Sequence, residues 1–204
     1  MLLKLFNICY RYETQEDPLF LNVNLEIANH AKTGLIGDNG TGKTTLLKII
    51  LGEETPDTGQ ILTGSQLQIG YSAQDLAHLH AENSILTEVT AAARERPDWV
   101  RTVLGCLRLE QEKVFQPISA LSPGEKNKVS IAKILLSHAN FLVLDEPTNH
   151  LDIRTREMLE DALIAFTGTM LFVAHDRRFI EKVATEIWDF WAEEAAGNPE
   201  SSVD

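Results

Sequence analysis

Cysteine, positive charge and long apolar runs are all scarce in this chain, and each shortage closes off a class of protein. The two cysteines, Cys9 and Cys106, lie far apart in 204 residues. They offer neither a disulfide framework nor metal-ligand spacing, and read as buried thiols of a protein kept in the reducing cytoplasm. No apolar run approaches the roughly 20 residues that span a bilayer, so membrane insertion is not expected. The first residues are interrupted by Lys4 and Asn7 and read as a strand, not a signal peptide. Lysine and arginine number 18 against 30 acids, a net charge of −12, which argues against a strong intrinsic nucleic-acid surface. Arg94, Arg96, Arg101 and Arg108 fall in one region, but Glu95, Asp98 and Glu110 break them up into a solvated helical face.

Against these absences stands Gly37-Asp38-Asn39-Gly40-Thr41-Gly42-Lys43-Thr44, a full match to the phosphate-loop pattern G-x-x-x-x-G-K-[ST]. The apolar run Thr33-Gly34-Leu35-Ile36 precedes it, and a segment with helical periodicity begins at Thr45. Strand, glycine loop and helix together aim backbone N–H groups and a helix dipole at one polyphosphate. Gly37, Asn39, Gly40, Gly42, Lys43, Thr44 and Thr45 are the candidate nucleotide contacts. Lys43 brings a flexible point charge for the β- and γ-phosphates, and the Thr44 hydroxyl is a candidate Mg²⁺ ligand.

Around this loop, residues 1–36 read as strands with turns, two of them antiparallel beside the nucleotide loop. The following helix ends near Leu51 at Gly52, and a short hairpin is expected over 60–62 and 67–71. From about 75 to 137 the texture is helical, with Ser84 capping one helix and Pro97 opening another, a small subdomain inserted in an α/β core. Residues 141–144 and 170–174 are apolar runs of the kind buried in a parallel sheet. An amphipathic helix is expected over 154–165. Residues 192–204 are small, acidic and polar, and read as a frayed tail.

The two apolar runs end in chemistry. The first leads into Asp145-Glu146-Pro147, where Asp145 can hold Mg²⁺ and Glu146 can polarise a water for in-line attack on a γ-phosphate. The second leads into Ala174-His175-Asp176, which places a histidine where it can bond the γ-phosphate or the attacking water. Gln74, just past the strand ending at Tyr71, can reach Mg²⁺ or that water through its amide oxygen. Leu121-Ser122-Pro123-Gly124-Glu125 starts a helix, with Ser122 as N-cap, Pro123 at N1 and Glu125 completing a capping box. A helix N-terminus with exposed serine and glycine is also an anion site.

In order and spacing, this set of motifs over about residues 1–191 resembles the ATP-binding cassette (ABC) ATPases. The resemblance implies a P-loop NTPase fold: a parallel-sheet α/β core, a flanking antiparallel β region and a helical subdomain. It makes the glycine loop Walker A, Val143-Leu144-Asp145-Glu146 part of Walker B, Gln74 the Q-loop and His175 the switch histidine. Leu121 to Glu125 become the signature motif, and Leu151-Asp152 the D-loop. Tyr12 matches the aromatic that stacks on adenine, with Tyr10 as the alternative. It further implies Mg²⁺-dependent ATP hydrolysis between two cassettes paired head to tail, in a homodimer or with another cassette.

Glu146-Pro147-Thr148-Asn149-His150-Leu151-Asp152 and a signature ending in Glu125 look like the ABC-F branch. That branch lacks membrane domains, and many of its members act on ribosomes, implying a role in translation or antibiotic resistance. The alternatives are a transporter's nucleotide-binding subunit, or a truncated cassette serving as an ATP-binding interaction module. The chain departs from the branch in having one cassette without linker or arm insertion, and in stopping short of a last strand after 187–190. It also has Pro123 in place of the usual signature glycine.

Overall fold

The computed structural model describes residues 2–72, 79–93, 97–109, 111–149, 151–190 and 201–202. The chain divides into two units, Met1–Leu67 with Gly168–Asp204, and Gln68–Thr167.

In the first unit, β1 (Leu3–Tyr10) lies between β2 (Phe20–Ile27) and β4 (Thr58–Thr63), antiparallel to both. Alternation is loose in β1 for a physical reason. Its register against β2 shifts between Leu5 and Ile8, Asn7 takes φ 51°, and Phe6 and Asn7 are both exposed before Ile8 turns inward. A β-bulge of this kind breaks the two-residue period. Asn24 supports it, its Oδ1 accepting the Asn7 N–H at 2.9 Å. Beside this sheet, β3 (Lys32–Ile36) runs parallel to β7 (Thr169–Val173) and to β8 (Glu186–Asp189). Every residue of β7 is buried, as expected of an apolar strand in a parallel sheet. Helix α1 (Lys43–Leu51) buries Leu46, Leu47, Ile49 and Ile50 and ends at Gly52, whose left-handed φ of 76° makes it the C-cap. Helix α6 (Arg177–Val183) places Phe179 edge-on to Phe172, ring centroids 5.3 Å apart.

In the second unit, β5 (Ile69–Ser72) pairs in parallel with the fully buried β6 (Phe141–Asp145). The same unit holds α2 (Ile85–Ala92), α3 (Pro97–Cys106), α4 (Pro123–Leu136) and α5 (Ile153–Ala165). No described helix is long and apolar enough to cross a membrane.

Two expectations are corrected. The segments near 60 and 70 do not form a hairpin: β4 pairs with β1, whereas β5 pairs with β6. The backbone groups around their connection bond elsewhere, the Gly64 N–H to Leu2 O and the Gln68 N–H to Asn140 Oδ1. The strand missing after 187–190 is also present in part, since β9 (Ser201–Ser202) pairs antiparallel with Ile187 and Trp188.

The second unit has a polar centre. Glu88 of α2 has its side chain only 2% exposed and accepts hydrogen bonds from Lys133 of α4 and from Asn83, with the His80 ring 3.1 Å away. Burial by itself would raise its pKa, but the bonds from Lys133, Asn83 and His80 outweigh burial and push it down from 4.5 to about 2. The carboxylate therefore binds its proton less readily folded than unfolded. Its contribution to stability is complete above about pH 4.5 and is lost as pH falls through about 2. Lys133→Met should destabilise the chain by about 3 kcal/mol, because it strips a buried carboxylate of its cation. Urea midpoints measured from pH 6 to pH 2 should fall less steeply for Glu88→Gln than for the parent.

Candidate functional site

The loop between β3 and α1 is shaped by close approach. Gly37 takes φ 145°, and a Cβ there would lie 2.1 Å from the Phe190 carbonyl oxygen, just past β8. Gly42 takes φ 97°, and a Cβ there would meet the Phe20 ring at 2.7 Å. Gly40 has φ 84° with nothing within 4 Å, so its glycine serves conformation alone. The Thr41 hydroxyl donates to Asp38 O at 3.0 Å and closes the turn.

Lys43 is the first residue of α1 and is 6% exposed. Its ammonium bends back over the loop, donating to Gly37 O at 2.8 Å and to Asp38 O at 2.6 Å. Asn39, Gly40 and Thr44 are exposed, and Thr45 is buried. Gly42, the N-cap of α1, is left-handed at φ 97° and makes no side-chain cap hydrogen bond.

The two tyrosines are distinguished by their surroundings. Tyr10 is 7% exposed, packs against Phe20 and donates to Glu54 Oε2 at 3.1 Å. Tyr12 is half-buried and shares a hydroxyl–hydroxyl hydrogen bond with Thr45, in the first turn of α1. The Tyr12 ring also meets the Tyr10 ring edge-on, centroids 5.3 Å apart. In the same unit His175 is exposed just beyond the end of β7, and Asp176 caps α6 by accepting from Arg178 N at 2.9 Å.

The second unit carries the acids. Asp145 ends β6 and is 4% exposed. Glu146 follows at φ 50°, a left-handed conformation unusual for glutamate. The Asn149 N–H donates to Glu146 O at 3.1 Å, and the Asn149 side-chain amide donates to Glu146 Oε2. Asp152 caps α5, its carboxylate accepting the Thr155 N–H and hydroxyl and an ion pair from Lys128. Those contacts, the Thr155 hydroxyl foremost, hold it well below the usual carboxylate range.

Ser122 and Glu125 form the expected capping box at the start of α4. The Ser122 N–H and hydroxyl both donate to Glu125 Oε2 at 2.9 Å, and Lys113 pairs with the same carboxylate. Hydrogen bonding from Lys113 and from the Ser122 N–H pushes the Glu125 pKa down to about 2. Pro123 at N1 removes only an N–H that lacks an intrahelical partner. Gly124 follows it, half-buried.

The structure thus gathers Tyr12, the glycine loop and His175 in one unit, and Asp145, Glu146, Ser122, Gly124 and Asp152 in the other. Gln74, Arg94, Arg96 and His150 lie outside the described residues. Sequence reasoning passed over Asn127 and Lys128, and took Asn149 only as part of the ABC-F-like stretch. Asn127 and Lys128 carry no local signal, because their partners, Asn149 O at 2.8 Å and Asp152 Oδ2 at 3.1 Å, lie 22 and 24 residues away.

A glycine loop opening a helix after a parallel strand, with an acid pair ending another buried strand, defines a P-loop nucleotide-binding protein. The family profile described as ABC transporter matches residues 20–149, more than half of the chain. The putative ATP-binding protein YdiF of Bacillus subtilis is 41% identical over 91% of this chain and 29% of its own length. The ATP-binding protein Uup of Escherichia coli is 36% identical over 90% and 29%. The ABC transporter F family member 5 of Arabidopsis thaliana is 37% identical over 94% and 28%. The chain therefore belongs to the ABC family of ATP-binding cassettes, and its similarity within that family is to the F subfamily. It spans less than a third of these relatives.

Solved structures that share the fold include the following two. One, of an ATP binding subunit of an ABC transporter, has a TM-score of 0.85 at 20% identity, covering 100% of this chain and 90% of its own. The other, a dimeric post-hydrolysis state of the cassette MJ0796 bound to ADP and Pi, has a TM-score of 0.79 at 23% identity, with coverage of 99% and 98%.

Gly37→Ala should cost more stability than Gly40→Ala, in thermal or urea unfolding. The second carries only the conformational penalty of about 1–2 kcal/mol, whereas the first adds a collision with backbone. Equal losses would mean that Phe190 yields.

Proposed function

We propose that the chain binds ATP with Mg²⁺ and hydrolyses it to ADP and phosphate as an ABC-F-type cassette, in a cytoplasmic setting. Two cassettes would pair head to tail, with the signature helix of one against the ATP of the other. The observation that carries the hydrolytic reading is Glu146, an acid kept at φ 50° at the end of a strand buried throughout. Backbone strain of this kind, costing about 1–3 kcal/mol, persists where surrounding structure enforces it, often at reacting sites.

The roles follow from chemistry. Backbone N–H groups of Gly37, Asn39, Gly40 and Gly42 cradle the polyphosphate, and Lys43 turns from the loop carbonyls to the β- and γ-phosphates. Tyr12 stacks on adenine, and Thr45 orients its hydroxyl. Glu146 takes a proton from the attacking water, and His175 hydrogen-bonds that water or the γ-phosphate. The Thr44 hydroxyl, the Asp145 carboxylate and the Gln74 amide oxygen are hard oxygen donors of the kind that suits Mg²⁺. When bound, the ion offsets charge on the phosphoryl oxygens. Ser122, the Gly124 N–H and Asp152 meet the nucleotide held by the second cassette, another copy or another chain.

The relatives' F-subfamily character supports ribosome binding, in translation or antibiotic resistance, as the process served. Glu146→Gln should keep ATP affinity, lose hydrolysis and shift from monomer to dimer with ATP and Mg²⁺, read by size exclusion with light scattering. A monomer that still binds ATP would remove self-pairing. The same variant should co-sediment with ribosomes in the presence of ATP, and its absence from the pellet would remove that process. Pro123→Gly should change ATP-driven association less than tenfold, since one backbone donor is restored.

A further inference from the structure

We infer that Asn149 is a positioning residue for the Glu146 carboxylate, and that Asn127 of the signature helix holds Asn149 in place. The inference rests on Glu146 as the base proposed above.

Glu146 and Asn149 are tied twice. The Asn149 N–H closes the turn onto Glu146 O at 3.1 Å, and the Asn149 side chain donates to Glu146 Oε2. The first bond closes the backbone turn, and the second restrains one oxygen of the carboxylate. An ionised carboxylate only accepts hydrogen bonds, so its orientation is set by the donors around it. An asparagine amide is one such donor, whereas an aspartate of equal size is not.

Asn149 is itself anchored. Its carbonyl receives Asn127 Nδ2 at 2.8 Å, and the next residue of α4, Lys128, pairs with Asp152 at 3.1 Å. Two consecutive side chains of one helix therefore hold Asn149, midway between the base and the D-loop aspartate, and that aspartate itself. Both lie on the helix that begins at Ser122, so the elements meeting a partner's nucleotide are joined through rigid structure to the acid that acts on the chain's own.

The test measures steady-state hydrolysis and equilibrium ATP binding for Asn149→Asp and Asn127→Ala, each in the parent and in Glu146→Gln. Asn149→Asp keeps the size and the backbone turn but cannot donate. It should lower kcat by about 10- to 100-fold, the range expected of a misplaced reacting group, with ATP affinity within about twofold. Asn127→Ala, one bond further away, should lower kcat by about three- to tenfold. In Glu146→Gln neither change should lower the residual rate further, because both act through that carboxylate. Asn149→Gln, which restores a donor, should recover part of the rate.

An Asn149→Asp variant with unchanged kcat overturns the proposal, as does a further loss in the Glu146→Gln background. If Glu146→Gln hydrolyses ATP at the parental rate, the base assignment fails, and the positioning role falls with it. If Glu146→Gln is inactive while Asn149→Asp keeps the parental kcat, only the positioning role falls.

Discussion

Presenting several backbone N–H groups to one anion requires a turn too tight for side chains, and much of the first unit is arranged around that requirement. The Phe190 carbonyl lies where a Cβ on Gly37 would be, and the Phe20 ring lies where one on Gly42 would be. The loop is therefore clamped from β8 on one side and β2 on the other. Its conformation persists because neighbouring strands fill the space that any larger residue would need. Lys43 completes the arrangement, a buried ammonium at the start of α1 satisfied by the loop's own carbonyls.

The second unit solves a different problem, that of holding acids. Glu88 is tolerated at its centre because Lys133, Asn83 and His80 surround it, and Lys133 comes from the same helix that reaches the D-loop through Lys128. Helix α4 is thus the rod to which the unit's polar parts are tied. Ser122 and Glu125 stand at its start, Asn127 and Lys128 on its next turn, and Lys133 in its last. A well-capped helix of this length is stiff, so groups attached along it move together.

Much of this was legible in sequence where the cause was local. The phosphate loop, the Ser84 and Ser122 caps, the Gly52 stop and the buried strands at 141 and 170 are each fixed by residues within a few positions of one another. The bulge at Asn7, the partners of β4 and β5 and the pairing of β9 were not legible, because each depends on which distant strand supplies the hydrogen bonds. Tyr10 and Tyr12 differ little in a string of letters. Their packing, one inward against Phe20 and one bonded to Thr45, separates them.

The sequence alone determined the class of chemistry, since glycines, lysine, threonine and acids at those spacings serve a nucleotide phosphate and few other ligands. It also determined the fold family, because strand and helix periods and caps are written in short windows. Only the tertiary structure decided how the reacting groups are held. The Asn127 and Lys128 tethers and the carbonyl beneath Gly37 join residues from 22 to 153 positions apart. Such contacts arise when packing fixes which surfaces meet, and no local pattern encodes them.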